Sequence, residues 1–199
     1  MFFDLASKEV IGGIATVVGI AGYVPYFIGL HRGKLRPHIF SWFIWGLIME
    51  TVFILQWEHN AGPGAWITGM SSVFCIIICL LGWKAGEKNI TRADWAVLMV
   101  CQLAVPLWYV IQQPVFTMLL LTVIELVGFY PTFRKSWHDP YGESTLSYFI
   151  TALKFVISIF AIQNFTVVNW MYPAALFAVN IILVSTLLLR RRALSARNS

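Results

Sequence analysis

Four polar residues stand inside otherwise apolar runs of this chain: Glu50, Glu125, Lys154 and Asn180. A charged side chain at membrane depth costs a few kcal/mol, so each one asks for a partner, a water-filled cavity or a bound solute. Glu125 and Lys154 are opposite in sign, and each falls about ten residues into its run, roughly 15 Å deep at about 1.5 Å per residue. The simplest expectation for them is an intramembrane ion pair. Glu50 has no basic residue in its own run and lies about twelve residues beyond a basic loop, or roughly 18 Å deep. It reads either as a group for proton coupling or cation recognition, or as a neutral carboxyl bonded to a neighbouring helix or reaching Lys154. Asn180 comes to the same depth, where an amide binds a solute or bridges helices. Ser71 and Ser72 flank the middle of their run and are expected to face the same pocket, as is Phe74.

Other chemistry finds little support. His31, His38, His59 and His138 are read as loop residues, and no His, Glu or Cys set has metal-ligand spacing. Cys75, Cys79 and Cys101 sit within apolar runs, where they pack as small hydrophobes. No metal, cofactor or enzymatic reaction is therefore expected. Trp57, Trp66, Trp83, Trp95 and Trp170 read as interfacial anchors at the ends of runs. Trp42, Trp45 and Tyr148 lie deeper and read either as an inner gate or as plain core packing.

The elements that must hold these groups follow from composition. The chain has 199 residues, of which 59% are apolar and 12% charged, with a mean hydropathy of +0.75. A soluble domain usually carries about 25% charge, so this is expected to be one all-helical membrane domain. Against a span of about 20 residues, the apolar windows run near Val10 to Leu30, Ile39 to Gln56, Ala65 to Trp83, Trp95 to Ile111, Val115 to Phe133, Leu146 to Ala161 and Trp170 to Leu189. Seven spans are predicted. Gln112, Gln113 and Pro114 separate the fourth from the fifth, and a tight hairpin is expected there because proline disfavours a continuing helix. The first run has no basic leader before it and is too long for a signal-peptide core, so it is read as a retained span.

Basic residues near span ends stay on the cytoplasmic side. Arg32, Lys34 and Arg36, then Lys84, Lys88 and Arg92, then Arg134 and Lys135, then Arg190, Arg191, Arg192 and Arg197 all fall on one predicted face. The opposite face has Lys8. The N-terminus is thus expected outside and the C-terminus in the cytoplasm, in the plasma membrane, the inner one in a bacterium. The sequence pI near 9.3 then reflects topology and anionic lipid headgroups, and nucleic acid is not an expected partner.

The chain also repeats itself. An offset of 106 residues separates Gly22 from Gly128, Pro25 from Pro131, Phe27 from Phe133 and Ser41 from Ser147. It lays spans one to three on spans five to seven and leaves the fourth as a connector. The expected organisation is a repeat over residues 9–84, a linker helix over 93–111 and a second repeat over 114–190. Because the connector is a single span, both triplets cross the membrane in the same direction. Repeats of this kind place a solute near the midplane where they meet.

A three-one-three plan with a proline late in the first helix of each triplet resembles the SWEET and PQ-loop family of seven-helix transporters. Ser144-Thr145-Leu146-Ser147 is similar to that family's signature between loop and second helix. Tyr26 and Thr132, after the prolines, depart from the glutamine of PQ-loop proteins, and Arg36-Pro37-His38-Ile39 departs from the loop signature. The resemblance implies a facilitator for a sugar or other small polar metabolite that rocks between two open states. It also implies a solute-binding role for Asn180, whose repeat mate is Phe74. Pro25 and Pro131 remove helical hydrogen bonds and are expected to act as paired hinges. Related architectures include amino-acid exporters, vitamin transporters and a cargo receptor, so a ligand-binding receptor without transport is the alternative. Association into a homo-oligomer is a further expectation.

Overall fold

The computed structural model describes residues 4–86, 90–102, 110 and 113–197. Among them there is no strand, and the helices are α1 (Leu5–His31), α2 (Ile39–Glu58), α3 (Trp66–Ala85), α4 (Arg92–Gln102), α5 (Pro114–Gly128), α6 (Tyr130–His138), α7 (Thr145–Phe160) and α8 (Val167–Arg197). The stretches Leu5–His31, Ile39–Glu58, Gly62–Trp83, Pro114–His138 and Val167–Ala196 are long and apolar enough to cross a membrane, and Thr145–Phe160 is a shorter apolar helix. The chain is therefore all-helical and, by length and composition, an integral membrane protein. Of the expected fourth span, 93–111, only the part through Gln102 and Val110 falls within the described residues; the Gln112 side of the expected hairpin lies outside them.

Local chemistry sets the helix ends. Asp4 accepts from the Ser7 amide at 2.9 Å and so starts α1 earlier than hydropathy alone suggests. Hydrogen bonding from the Ser7 hydroxyl, and from its amide, also holds the Asp4 carboxyl below its ordinary pKa. Gly33, with φ +67, lets the chain leave α1 through a left-handed turn. Ser144 accepts from the Ser147 amide at 3.2 Å and caps α7, which gives the Ser-Thr-Leu-Ser stretch its physical meaning. At the other terminus α8 runs on past Leu189. Its arginines find partners there, with Arg190 Nε donating to the Trp137 carbonyl at 3.0 Å and Arg191 Nε to the Pro140 carbonyl at 3.1 Å.

The two prolines behave differently. Pro25 lies inside unbroken α1, whereas Phe129 interrupts the corresponding stretch between α5 and α6, and Pro131 sits in the first turn of α6. Proline has no N–H to donate, and α6 places it where that donor would be unsatisfied anyway. His31 and His138, expected in loops, are the last residues of α1 and α6.

Packing follows small residues. Lys8, Gly12, Ala15, Gly19 and Gly22 are buried along one side of α1 at alternating spacings of four and three. Such a seam lets helix backbones approach closely, which is how helices associate where no hydrophobic effect drives them. A β-carbon at Gly12 would lie 2.8 Å from the Pro63 carbonyl oxygen, and one at Gly22 would lie 2.6 Å from Ile150 Cγ2. Gly128, the repeat mate of Gly22, meets Ile44, the repeat mate of Ile150, at 3.0 Å. Beyond these crossings, α3 packs against both α1 and α2, α8 packs against both α5 and α7, α1 runs along α7, and α2 runs along α5.

Gly12→Ala should therefore destabilise the fold by about 1–3 kcal/mol, because rigid backbone stands in the way. Gly13 has open space around its missing side chain, so Gly13→Ala should be neutral or slightly stabilising. Thermal unfolding of the two purified variants in detergent checks the contrast, and equal losses would refute the seam.

Candidate functional site

Where the crossings meet, the helices enclose a cavity of about 30 Å³, lined by Tyr23, Trp42, Trp45, Met49, Cys75, Phe129, Tyr148, Thr151, Leu176 and Asn180. That is the room of about one water molecule. Tyr23 and Phe129, Trp42 and Tyr148, and Trp45 and Thr151 each stand 106 residues apart, so three pairs of positions matched by that offset share one wall. Two buried polar atoms of the lining have no hydrogen-bond partner among the described residues, an acceptor at Asn180 Oδ1 and a donor at Trp45 Nε1. Asn180 Nδ2 is spent on the Leu176 carbonyl at 2.8 Å.

Toward the basic loops the cavity is shut by a buried polar network. Lys135 Nζ and Glu143 Oε1 are 2.7 Å apart, with side-chain exposures of 3% and 1%. Glu143 Oε2 accepts from Tyr148 at 3.0 Å and, more loosely, from Tyr26 at 3.5 Å. Trp42 Nε1 donates to the Tyr26 hydroxyl at 3.1 Å. Lys135 also donates to the Gly142 carbonyl at 2.9 Å and to that of Arg36. Arg36 and Gly142 are themselves 106 residues apart, so this one ammonium joins two positions matched by the offset. Arg191 braces the same turn from α8, donating to the Glu143 carbonyl at 2.7 Å. Beyond this layer an open crevice of about 690 Å³ runs between Pro25, Leu35, Phe149, Leu188 and Arg191.

The other end is shut by backbone. Lys8 Nζ donates to the Ile162 and Gln163 carbonyls at 2.6 and 3.2 Å, placing a cation at the C-terminal end of α7. The Gln163 amide donates to the Ala61 carbonyl at 3.0 Å, and Gln56 Nε2 to the Asn169 carbonyl at 3.1 Å. Asn169 Nδ2 in turn bonds the His59 and Asn164 carbonyls at 3.1 and 2.8 Å.

Of the residues singled out in the sequence, Asn180, Trp42, Trp45 and Tyr148 come together on the cavity. The expected pair of Glu125 and Lys154 is not made. Lys154 Nζ donates to Ser71 Oγ at 2.7 Å and Tyr23 OH at 3.2 Å instead, while the Glu125 carboxyl is buried with no basic partner among the described residues. The reason is direction: α7 presents Lys154 to α1 and α3, whereas Glu125 lies beside Tyr172 of α8. Glu50 is exposed on the outer face of α2, which it shares with Phe43, Ile54 and Trp57, while Trp45, Ile48, Met49 and Val52 turn inward. Depth alone did not reveal that face. Ser72 donates to the Gly46 carbonyl at 2.9 Å and bridges α3 to α2 rather than lining the cavity. Phe74 stacks on Tyr23, with ring centroids 4.5 Å apart, behind the cavity wall.

Tyr23, Tyr26, Lys135 and Glu143 escaped the sequence reading. Lys135 was read only as one positive charge among many. The available signal was an acid, Glu143, standing among the basic loops immediately ahead of a capping serine.

Glu143→Gln leaves Lys135 buried without its anion and should cost about 3 kcal/mol, since removing one partner of a buried pair strands the other. Adding Lys135→Met to it should recover most of that loss in thermal unfolding; an additive double variant would show that the charges are not coupled. Glu50→Gln should leave solute binding unchanged. No protein-family model matches this chain, and no curated protein or solved structure matches it either.

Proposed function

We propose that this chain is a membrane transporter in which two parallel triple-helix repeats, joined by a linker helix in a three-one-three plan, close alternately around a small polar solute. The observation that carries the reading is the cavity itself, walled by three pairs of repeat mates and shut at both ends by different polar networks. The packing supports it. Exchanging each helix for its counterpart at the offset of 106 turns α1 against α3 into α5 against α8, and α2 against α3 into α7 against α8. It also turns α1 against α7 into α5 against α2, so the same set of contacts returns. Two copies related in this way can separate at either end while sharing one site.

The gate toward the basic loops depends on one carboxylate, Glu143, held by groups from α1, α6 and α7. The opposite gate depends on loop carbonyls held by Lys8, Gln56 and Asn169. A cavity with room for about one water is a solute site in its contracted state, and admitting a metabolite requires one gate to part. With the basic end in the cytoplasm, the Glu143 gate is the inner one. The break at Phe129, next to Pro131, offers a hinge in the second repeat, whereas Pro25 bends within a continuous helix.

Counterflow in proteoliposomes tests this reading, because a carrier exchanges labelled solute across the bilayer and a receptor does not. Asn180→Ala should abolish counterflow with only a modest fall in unfolding temperature, since it removes the unpaired amide oxygen together with one hydrogen bond, from Nδ2 to the Leu176 carbonyl. Solute binding without counterflow in the unaltered protein would favour a receptor instead.

A further inference from the structure

We propose that the solute carries a carboxylate group and that Lys154 is its counter-charge, an inference that rests on the central cavity being the solute site. Lys154 is 1% exposed. An ammonium has three donors and a full charge, yet its hydrogen-bond partners, Tyr23 and Ser71, are both neutral. Ser71 donates its own hydrogen to the Ile67 carbonyl at 2.5 Å, so it faces Lys154 purely as an acceptor and fixes the ammonium in place. The rings of Tyr23 and Phe155 lie 4.5 and 5.0 Å from the nitrogen. Among the described residues no carboxylate reaches it, and the buried ion pair in that set is the one between Lys135 and Glu143.

The position suits a ligand. Tyr23, Cys75 and Thr151 line the cavity. Ser71 and Lys154 stand one helical turn from Cys75 and Thr151, roughly 5 Å farther toward the Lys8 end. Gly19 lets the Lys154 stem and Ile67 pack against α1, since a β-carbon on it would collide with Ile67 Cδ1 and lie 3.0 Å from Lys154 Cδ. Lys154 also has no basic counterpart, because its repeat mate is Ile48. The site therefore reads a solute with one anionic end, held by Lys154, and a polar remainder that meets the unused Asn180 oxygen and Trp45 N–H. A sugar lacks that anionic end. Glu125 is the repeat mate of Gly19 and leaves the Lys154 side of the site free of a protein anion.

The test uses purified full-length protein with lactate and alanine as carboxylate probes, glycerol and glucose as neutral ones, and sodium chloride as the ionic control. Binding to the folded state raises the unfolding temperature by mass action. At least one carboxylate should do so at millimolar concentration while the neutral probes do not. Lys154→Gln should weaken that binding about 10- to 100-fold, the range for losing a charge-assisted hydrogen bond, and Lys154→Arg should retain most of it. Stabilisation by glycerol or glucose alone, no shift with either carboxylate, or undiminished affinity in Lys154→Gln would each overturn the proposal. If Lys154→Gln does not fold, probe selectivity of the unaltered protein and of Lys154→Arg decides. Counterflow of glucose but not lactate would sink this inference and leave the transport reading standing. Lactate binding with no counterflow of any probe would do the reverse.

Discussion

Two helix crossings at which a glycine takes the neighbouring isoleucine hold the rest in place. Gly22 meets Ile150 and Gly128 meets Ile44, so each repeat lays a bare stretch of its first helix on an isoleucine of the other repeat. Close approach at these points brings Tyr23, Trp45, Phe129 and Thr151 to a common wall one residue away from each contact. It also brings the loops after the first helix of each repeat together, which is why Arg36 and Gly142 share the ammonium of Lys135. A larger residue at either glycine would part the cavity wall and the gate together.

The interior is organised by what its polar atoms can reach. Where partners converge, as around Glu143, the charge is paired, bonded by tyrosine hydroxyls and removed from solvent. Such a pair adds little net stability over an apolar substitute but is costly to break one-sidedly, which makes it suited to a gate that must either close completely or open. Where partners do not converge, polar groups are left over among the described residues: Lys154 with neutral partners, Glu125 without a cation, Asn180 and Trp45 with one unused atom each. Of these, Asn180 and Trp45 line the cavity, while other unpaired atoms such as Gln56 Oε1, Ser136 Oγ and Asn169 Oδ1 do not.

The two repeats agree in mechanics and differ in chemistry. Trp42 and Tyr148 occupy matching positions and both join the Glu143 network, but the glutamate has no equivalent in the first repeat, where residue 37 is proline. Likewise Lys135 stands where the first repeat has Gly29. The lopsided charges put the buried ion pair at the end of the cavity toward the basic loops, with no matching pair at residues 29 and 37.

The apolar helices are legible in the sequence, because a bilayer imposes long apolar runs on any chain that crosses it. Depth and aromatic placement single out Asn180, Trp42, Trp45 and Tyr148, and the fold brings those four to one cavity. Tertiary structure decided the rest, because depth along a helix says nothing about rotation around it. Glu50 and Asn180 lie at similar depth, yet α2 turns one outward and α8 turns the other onto the cavity. Lys154 and Glu125 match in depth and oppose in sign, yet their helices aim them at different neighbours. The gate pair of Lys135 and Glu143 looked like two loop charges until the crossing glycines brought their loops together and buried them.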